Sequence, residues 1–485
     1  MSEEERNKAE RSNKFLRDII IYAVGNLGSK LVTFLMVPLY THFVAPAEYG
    51  YYDLCFTAVV LLYPILSLTL RDGGFRFLVD ATTDEVRRAV VTFVYRTLIT
   101  NSLIAIILGA LLWRFHPIDY LWPTVGLLIA MSFYEVIIQV VRGLGHTKWF
   151  VTAGIVNSFL IGLLSILFVV VLEMNIAGIF YANVLSRLFT VVMLELRLGV
   201  MRRYFRYGAT SGNRSRGILH YSLPLIPGSL FWWLIGSCSK WFIAYFNEDL
   251  AQNGQYAVAL KFTAILETLA FIFYQTWQET ALRQYNSADR DQFFSRIFNN
   301  YLYLLMSGVV LFAFVLKLNY WWLVDSDYSY SVNYLFPLGV STMFFSMSAF
   351  YDLGYQCSKK TVFTLPGIII ASVVNLVCNW FFIQLYDVYG IIASSILSYF
   401  TLYLYRAIDT RKYFRIRYQS RLVLPFAILV VSGVAFYTIK PLGLVALYTA
   451  VVLVAVMVFL PREIRATISQ KLRVLPFLRP KPDGK

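Results

Sequence analysis

Nine ionisable side chains lie inside long apolar stretches of this sequence: the cations Lys30, Arg96, Arg187, Lys240 and Lys261, and the carboxylates Asp53, Glu135, Glu267 and Asp352. A charge at mid-depth in a bilayer costs about 2.5–3.5 kcal/mol on insertion scales. Each must therefore find water, a partner or a path to the headgroups. Lys30 is central in its stretch and at helical spacing shares a face with Tyr22, Asn26 and Thr33. Lys240 continues a stripe with Ser229, Trp233 and Ser237. Such stripes line a cavity or act as polar glue between helices. Arg96 and Arg187 either snorkel to the headgroups or turn inward. Glu135 shares a face with Ser132, Gln139 and Arg142, which reads as an internal ion pair. Glu267, with Thr263, Tyr274 and Gln278 on its face, is either structural or a site for a cation or proton. A cationic cavity with the mid-stretch aromatics Trp232 and Trp233 suits a large anionic amphiphile. Ammonium and guanidinium groups bind phosphate, and tryptophan faces stack on sugars.

The elements that hold these residues are transmembrane helices. Of 485 residues, 58% are apolar and 15% charged, against about 25% charged in soluble chains. Fourteen apolar blocks are long enough to cross a bilayer: 19–41, 50–70, 89–112, 120–141, 149–172, 176–196, 219–246, 254–279, 297–318, 331–353, 362–384, 388–406, 421–440 and 442–460. Barrel strands would be shorter and would alternate. Residues 1–17 are too charged for a signal peptide's apolar region, so the first span is expected to stay. Of 43 Lys and Arg residues, only Arg114, Lys317 and Lys440 fall in loops opposite the N-terminus. That bias places both termini in the cytoplasm. The net charge of +15 then reflects topology rather than nucleic-acid binding. Trp113, Trp122, Trp241, Trp321, Trp322 and Trp380 fall near outer boundaries, and Trp149 and Trp277 near inner ones.

The loops exclude several functions. All are short, which leaves no external domain for a glycosyltransferase or polymerase. No phosphate-loop motif occurs. Cys55, Cys238, Cys357 and Cys378 lie in or beside apolar spans without metal spacing, and the four histidines are scattered, so no metal site is expected. An internal repeat relates residues 145–187 to 357–399, with Gly178/Gly390, Ile179/Ile391 and Ser186/Ser398 among its identities. Ala47-Glu-Tyr-Gly-Tyr-Tyr52 likewise resembles Ala251-Gln-Asn-Gly-Gln-Tyr256. The expected organisation is a cytoplasmic segment 1–18, an N-lobe 19–196 and a basic linker 197–218. A C-lobe 219–406, two added spans in 407–460 and a basic tail 461–485 follow. The fold class is all-α and polytopic, with two six-helix lobes in parallel repeat. Two such halves around one central site are the architecture of alternating access.

Tyr22-Ala-Val-Gly-Asn-Leu-Gly-Ser-Lys30, Val37-Pro-Leu-Tyr-Thr41 and Ala47-Glu-Tyr-Gly-Tyr-Tyr-Asp-Leu54 resemble the first two helices of Wzx-type polysaccharide-biosynthesis flippases. These are O-antigen and capsule repeat-unit translocases of the multidrug/oligosaccharidyl-lipid/polysaccharide exporter superfamily. Arg71-Asp-Gly-Gly-Phe-Arg-Phe77 resembles their short motif after span 2. The resemblance implies transport, without bond-making chemistry, of an undecaprenyl-diphosphate-linked oligosaccharide across a bacterial cytoplasmic membrane. It implies drive by an Na+ or H+ gradient or by membrane potential, with no other cofactor, and other polysaccharide-assembly membrane proteins as partners. Lys30, Arg76 and, more weakly, Arg71 carry over as diphosphate-binding cations. Lys240 and Lys261, with Trp232 and Trp233, complete the expected substrate path, and Glu267 or Asp53 responds to the ion. A lipid II or teichuronic-type flippase, and a multidrug/cation antiporter, remain open as alternatives.

Overall fold

The computed structural model describes residues 32, 34–206, 212–247, 249–461 and 465. Lys30 and the two terminal segments lie outside the described residues, apart from Pro461 and Arg465 of the tail. Every described element is helical. The helices are α1 (Phe34–Phe43), α2 (Pro46–Leu66), α3 (Leu70–Val79), α4 (Asp84–Phe115), α5 (Leu121–Gly143) and α6 (Thr147–Ser165). A π-helical turn at Ile166–Val171 extends α6. Then follow α7 (Asn175–Leu198), α8 (Val200–Tyr204), α9 (Gly212–Ser222), α10 (Leu225–Gly236) and α11 (Ser239–Phe246). The remainder are α12 (Ala251–Gln284), α13 (Arg290–Leu323), α14 (Val332–Cys357), α15 (Thr364–Asp409), α16 (Val423–Thr438) and α17 (Leu442–Val458).

Each of the fourteen apolar blocks carries helix. Among the described residues ten helices are long and apolar enough to cross a membrane by length and composition, and α15 is two helices merged across non-helical backbone at Asp387. The chain is a multi-pass membrane protein. Its apolar side chains point outward as well as inward: Leu103, Ile104, Ile107, Leu108 and Leu111 of α4 are all exposed, as a lipid-facing surface requires. The seventh block differs from expectation. It is not one helix but α9, α10 and α11, interrupted at Leu223-Pro224, where proline removes a helical donor, and again at Ser237-Cys238. Trp277 also departs from the interfacial belt. It is buried, stacked on Phe350 at 4.7 Å with Phe294 against its edge. Lys317, expected in a loop, lies in α13 and caps α16 by donating to the carbonyls of Phe436 and Ile439.

Helix contacts segregate into a first set among α2–α7 and a second among α10–α15, with α16 and α17 packed on α13. The two sets meet where the repeated sequences meet. A Cβ on Gly50 would stand 2.2 Å from the Leu250 carbonyl oxygen, and one on Gly254 would stand 2.0 Å from that of Pro46. Each glycine thus faces the carbonyl four residues before the other, so the contact is reciprocal. Asn253 Nδ2 adds a 2.8 Å bond to the Gly50 carbonyl. Gly178 and Gly390, paired in the second repeat, also share a role. Each begins a helix by closing on the backbone of the preceding one, at Phe168 and Phe382 respectively.

The largest apolar core runs through this junction, joining Val37, Tyr49 and Phe180 to Phe262, Tyr320 and Tyr328. It reaches from the face poor in Lys and Arg, where Tyr328 donates to the Val44 carbonyl at 2.8 Å, to Phe294 and Phe414 near the basic face. A separate core of Leu78, Val91, Tyr134 and Ile137 belongs to the first set near the basic face. Gly50→Ala or Gly254→Ala should force α2 and α12 apart, since overpacking costs about 1–3 kcal/mol. The expected outcome is a lower melting temperature in detergent and faster thiol labelling of a cysteine placed at Val44. Unchanged values would mean that the two helices do not touch.

Candidate functional site at the junction of the two halves

Asp53, Phe56 and Thr57 follow one another at three- and four-residue spacing and share one side of α2. That side receives three side chains from the second half. Asp53, 2% exposed, lies 2.6 Å from the ammonium of Lys240 on α11, which is 12% exposed. The Lys261 ammonium of α12 stands 5.8 Å from the Phe56 ring centroid, within cation–π range. Trp233 Nε1 of α10 donates to the Thr57 carbonyl at 2.9 Å. The stripe Trp233–Lys240 read from the sequence therefore faces α2. Asp53 and Lys240, expected to serve ion and substrate separately, are partners.

Other expected residues sit elsewhere. Trp232 is exposed on the neighbouring side of α10, edge-on to Phe345. Glu267 follows Lys261 by six residues, about 240° around the helix. It is exposed and in electrostatic range of Tyr256 and Tyr399. Arg71 and Arg76 are on α3, toward the basic face. Arg71 pairs with Glu135 at 3.1 Å, and exposed Arg76 with Asp80 at 3.1 Å. Burial pushes the carboxyl of Asp72 up from its ordinary value, with Arg71 opposing. Glu135 thus reaches across to α3, where the sequence suggested Arg142. Arg142 lies over the rings of Phe75 and Phe150. Arg187 turns inward: it is buried and donates to the Asn183 carbonyl and Oδ1 at 2.7 and 2.9 Å. Arg96 is exposed, as snorkelling requires.

Two polar groups escaped the sequence reading. Arg406 of α15, 3% exposed, pairs with Asp352 of α14 at 2.9 Å and donates to Ser348. Gln356 Nε2 bonds Asp352 and the Tyr274 hydroxyl, and Gln278 donates to Gln356 at 2.6 Å. Arg406 closes its apolar block and passed for a loop cation. Its only signal was an opposite charge at the same depth two spans earlier. The second group is Asn375, Asn379 and Ser239, all buried, with Asn379 Nδ2 donating to Asn375 Oδ1 at 2.9 Å and to Ser239 Oγ at 3.2 Å. Two asparagines four apart in an apolar span were the available clue. Among the described residues no cluster of three or more His, Cys, Asp or Glu side chains could hold a metal ion.

An apolar cleft of about 230 Å3 runs beside α12, lined by Leu266, Leu269, Phe273, Leu305 and Thr342 among others. One helix thus carries both the Lys261 cation and the wall of an apolar cleft.

No protein family matches by sequence, and no curated protein matches. Solved structures do match in fold. A lipid II flippase, MurJ, in an inward closed conformation has a TM-score of 0.70 at 11% identity, covering 93% of this chain and 100% of that one. An inward-facing multidrug-resistance MATE transporter of the MOP superfamily has a TM-score of 0.63 at 14% identity, covering 79% and 95%. A MATE protein in complex with MaL6 gives 0.54 at 14% identity, covering 81% and 96%. The chain has the fold shared by these MOP-superfamily proteins.

A buried pair broken on one side leaves an uncompensated charge, at a cost of about 3–5 kcal/mol. Asp53→Leu or Lys240→Met alone should lower the melting temperature in detergent, and the double variant should recover most of the loss. Additive losses in the cycle would show that the two charges do not interact.

Proposed function

We propose that this protein is an alternating-access transporter that carries a diphosphate-linked glycan lipid across the membrane. The cargo that fits the sequence resemblance is an undecaprenyl-diphosphate oligosaccharide, such as an O-antigen or capsule repeat unit, moved from the inner to the outer leaflet. The observation that carries this reading is the α2 face, where two lysines from the second half meet the first half, Lys240 at the buried Asp53 carboxylate and Lys261 over the Phe56 ring. A diphosphate arriving from the basic side competes with Asp53 for Lys240, because both are oxyanions seeking the same ammonium. Its lipid tail suits the apolar cleft beside α12. Arg71 and Arg76 on α3 stand nearer the basic face, at the entrance, and Trp232 is exposed for contact with sugar.

The halves are joined by backbone contact at the Lys- and Arg-poor face. This arrangement is the inward-facing state in our reading; the matching MATE structure is inward-facing, and the lipid II flippase structure is inward closed. Releasing Asp53 from Lys240 removes one of the ties between halves, which links cargo arrival to opening of the opposite face. A freed Asp53, or Glu267, is then the group that takes an Na+ ion or a proton. Coverage favours a flippase over a drug antiporter: the lipid II flippase matches 93% of this chain and the inward-facing MATE protein 79%. Lipid II itself is the second cargo that this comparison supports.

The deciding measurement uses a deletion strain. Diphosphate-linked glycan lipid should accumulate on the inner leaflet while surface polymer is lost, and the accumulated mass identifies the cargo. Unchanged lipid-linked pools with altered sensitivity to cationic dyes would overturn the flippase reading.

A further inference from the structure

A cup opens on the face poor in Lys and Arg, away from the α2 site. It is formed where three turns converge: the start of α12, the approach to α14 and the break inside α15. Asp249, Gln252, Tyr330, Tyr334, Asp387 and Tyr389 line it, and its cavity volume is about 310 Å3. That is within the ordinary range of small-ligand sites, about 300–1,000 Å3.

Its aromatic wall is rigid. Buried Tyr334 holds Tyr330 edge-on at 5.6 Å and Tyr389 edge-on at 5.4 Å. Tyr330 is nevertheless 51% exposed, so its ring is offered to solvent. The acids are fixed as well. Asp387 Oδ1 accepts from Asn247 Nδ2 at 2.8 Å, and Asp249 Oδ1 accepts from the Ala251 amide at 2.8 Å. In each carboxylate the second oxygen has no protein hydrogen bond among the described residues. Asp387 also has φ 54° and ψ −137°, a backbone conformation that suits glycine. The side-chain bond from Asn247 helps to hold it there. Among the described residues no Lys or Arg lines the cup.

We infer that this cup is a saccharide site for the cargo's sugar end, selective for neutral or amine-bearing rings over acidic ones. Exposed tyrosine presents an apolar ring face to the C–H face of a sugar and a hydroxyl to its oxygens. Two oriented carboxylates accept from hydroxyl or ammonium groups and repel uronates and phosphates. The two ends of the cargo are thereby sorted by charge: diphosphate at the lysines within the membrane, sugar at the acidic cup. The inference rests on the reading that the cargo carries a glycan.

The test uses the full chain in lipid nanodiscs and saturation-transfer NMR with three free probes: chitobiose, its doubly de-acetylated amine and digalacturonate. Transfer should be strongest for the amine, present for chitobiose, and roughly tenfold weaker for digalacturonate. Tyr330→Ala should weaken both of the first two by about tenfold. Asp387→Gly keeps a backbone suited to that φ, so it should fold, and should lose only the preference for the amine. Equal transfer from wild type and Tyr330→Ala, or digalacturonate binding as well as the amine, would overturn the inference. Glycan-lipid flipping is scored in vesicles with the same preparations. Wild-type flipping without saccharide transfer sinks the cup alone, whereas saccharide transfer without flipping sinks the transport reading and supports the cup.

Discussion

Gly50 and Gly254 carry no Cβ, so α2 and α12 approach until each glycine meets a carbonyl of the other helix. At that separation the next turns of α2 come within reach of the second half. Asp53 meets Lys240, Phe56 meets Lys261 and Thr57 meets Trp233. One step wider, and the ammonium of Lys240 would lose its carboxylate inside a bilayer, where unpaired charge is costly. The close approach of two backbones therefore sets the geometry of these three contacts between the halves. Close packing of this kind is a main source of helix association in lipid, where apolar side chains gain little by leaving the hydrocarbon.

The same scarcity of driving force explains the other polar groups. Arg406 with Asp352, Arg71 with Glu135, and Arg187 with Asn183 all tie helices or turns within one half. The Asp53–Lys240 pair differs by crossing between halves. Ties inside a half keep it rigid. The tie across the junction instead holds one half against the other.

That the chain is a series of long apolar helices was legible in the sequence, because block length responds directly to bilayer thickness. The repeat was legible too, and the structure explains why it survives at Gly50/Gly254 and Gly178/Gly390: these positions admit no side chain. The breaks at Pro224 and Cys238 were hidden inside a continuous apolar run. The partners of charges were the least legible. Helical spacing places Glu135 and Arg142 on one face, yet it says nothing of α3, which folds back to bring Arg71 to Glu135. It likewise cannot relate Asp352 to Arg406 or Asp53 to Lys240, because those pairs are made by packing between distant helices. Trp277 shows the converse failure, since an aromatic near a span boundary satisfies the belt pattern and can still be core.

α12 is 34 residues long, or roughly 51 Å at 1.5 Å per residue. Its backbone contact with α2, at Gly254, lies in its first turn. The remaining thirty residues form an arm of roughly 45 Å whose fulcrum is Gly254. A tilt of about 10° about that point swings the Gln284 end by roughly 8 Å. Because α12 turns directly into α13, itself 34 residues, the swing is handed to the helix on which α16 and α17 are mounted. Small rotation at one face of the membrane is thus geared into large displacement at the other.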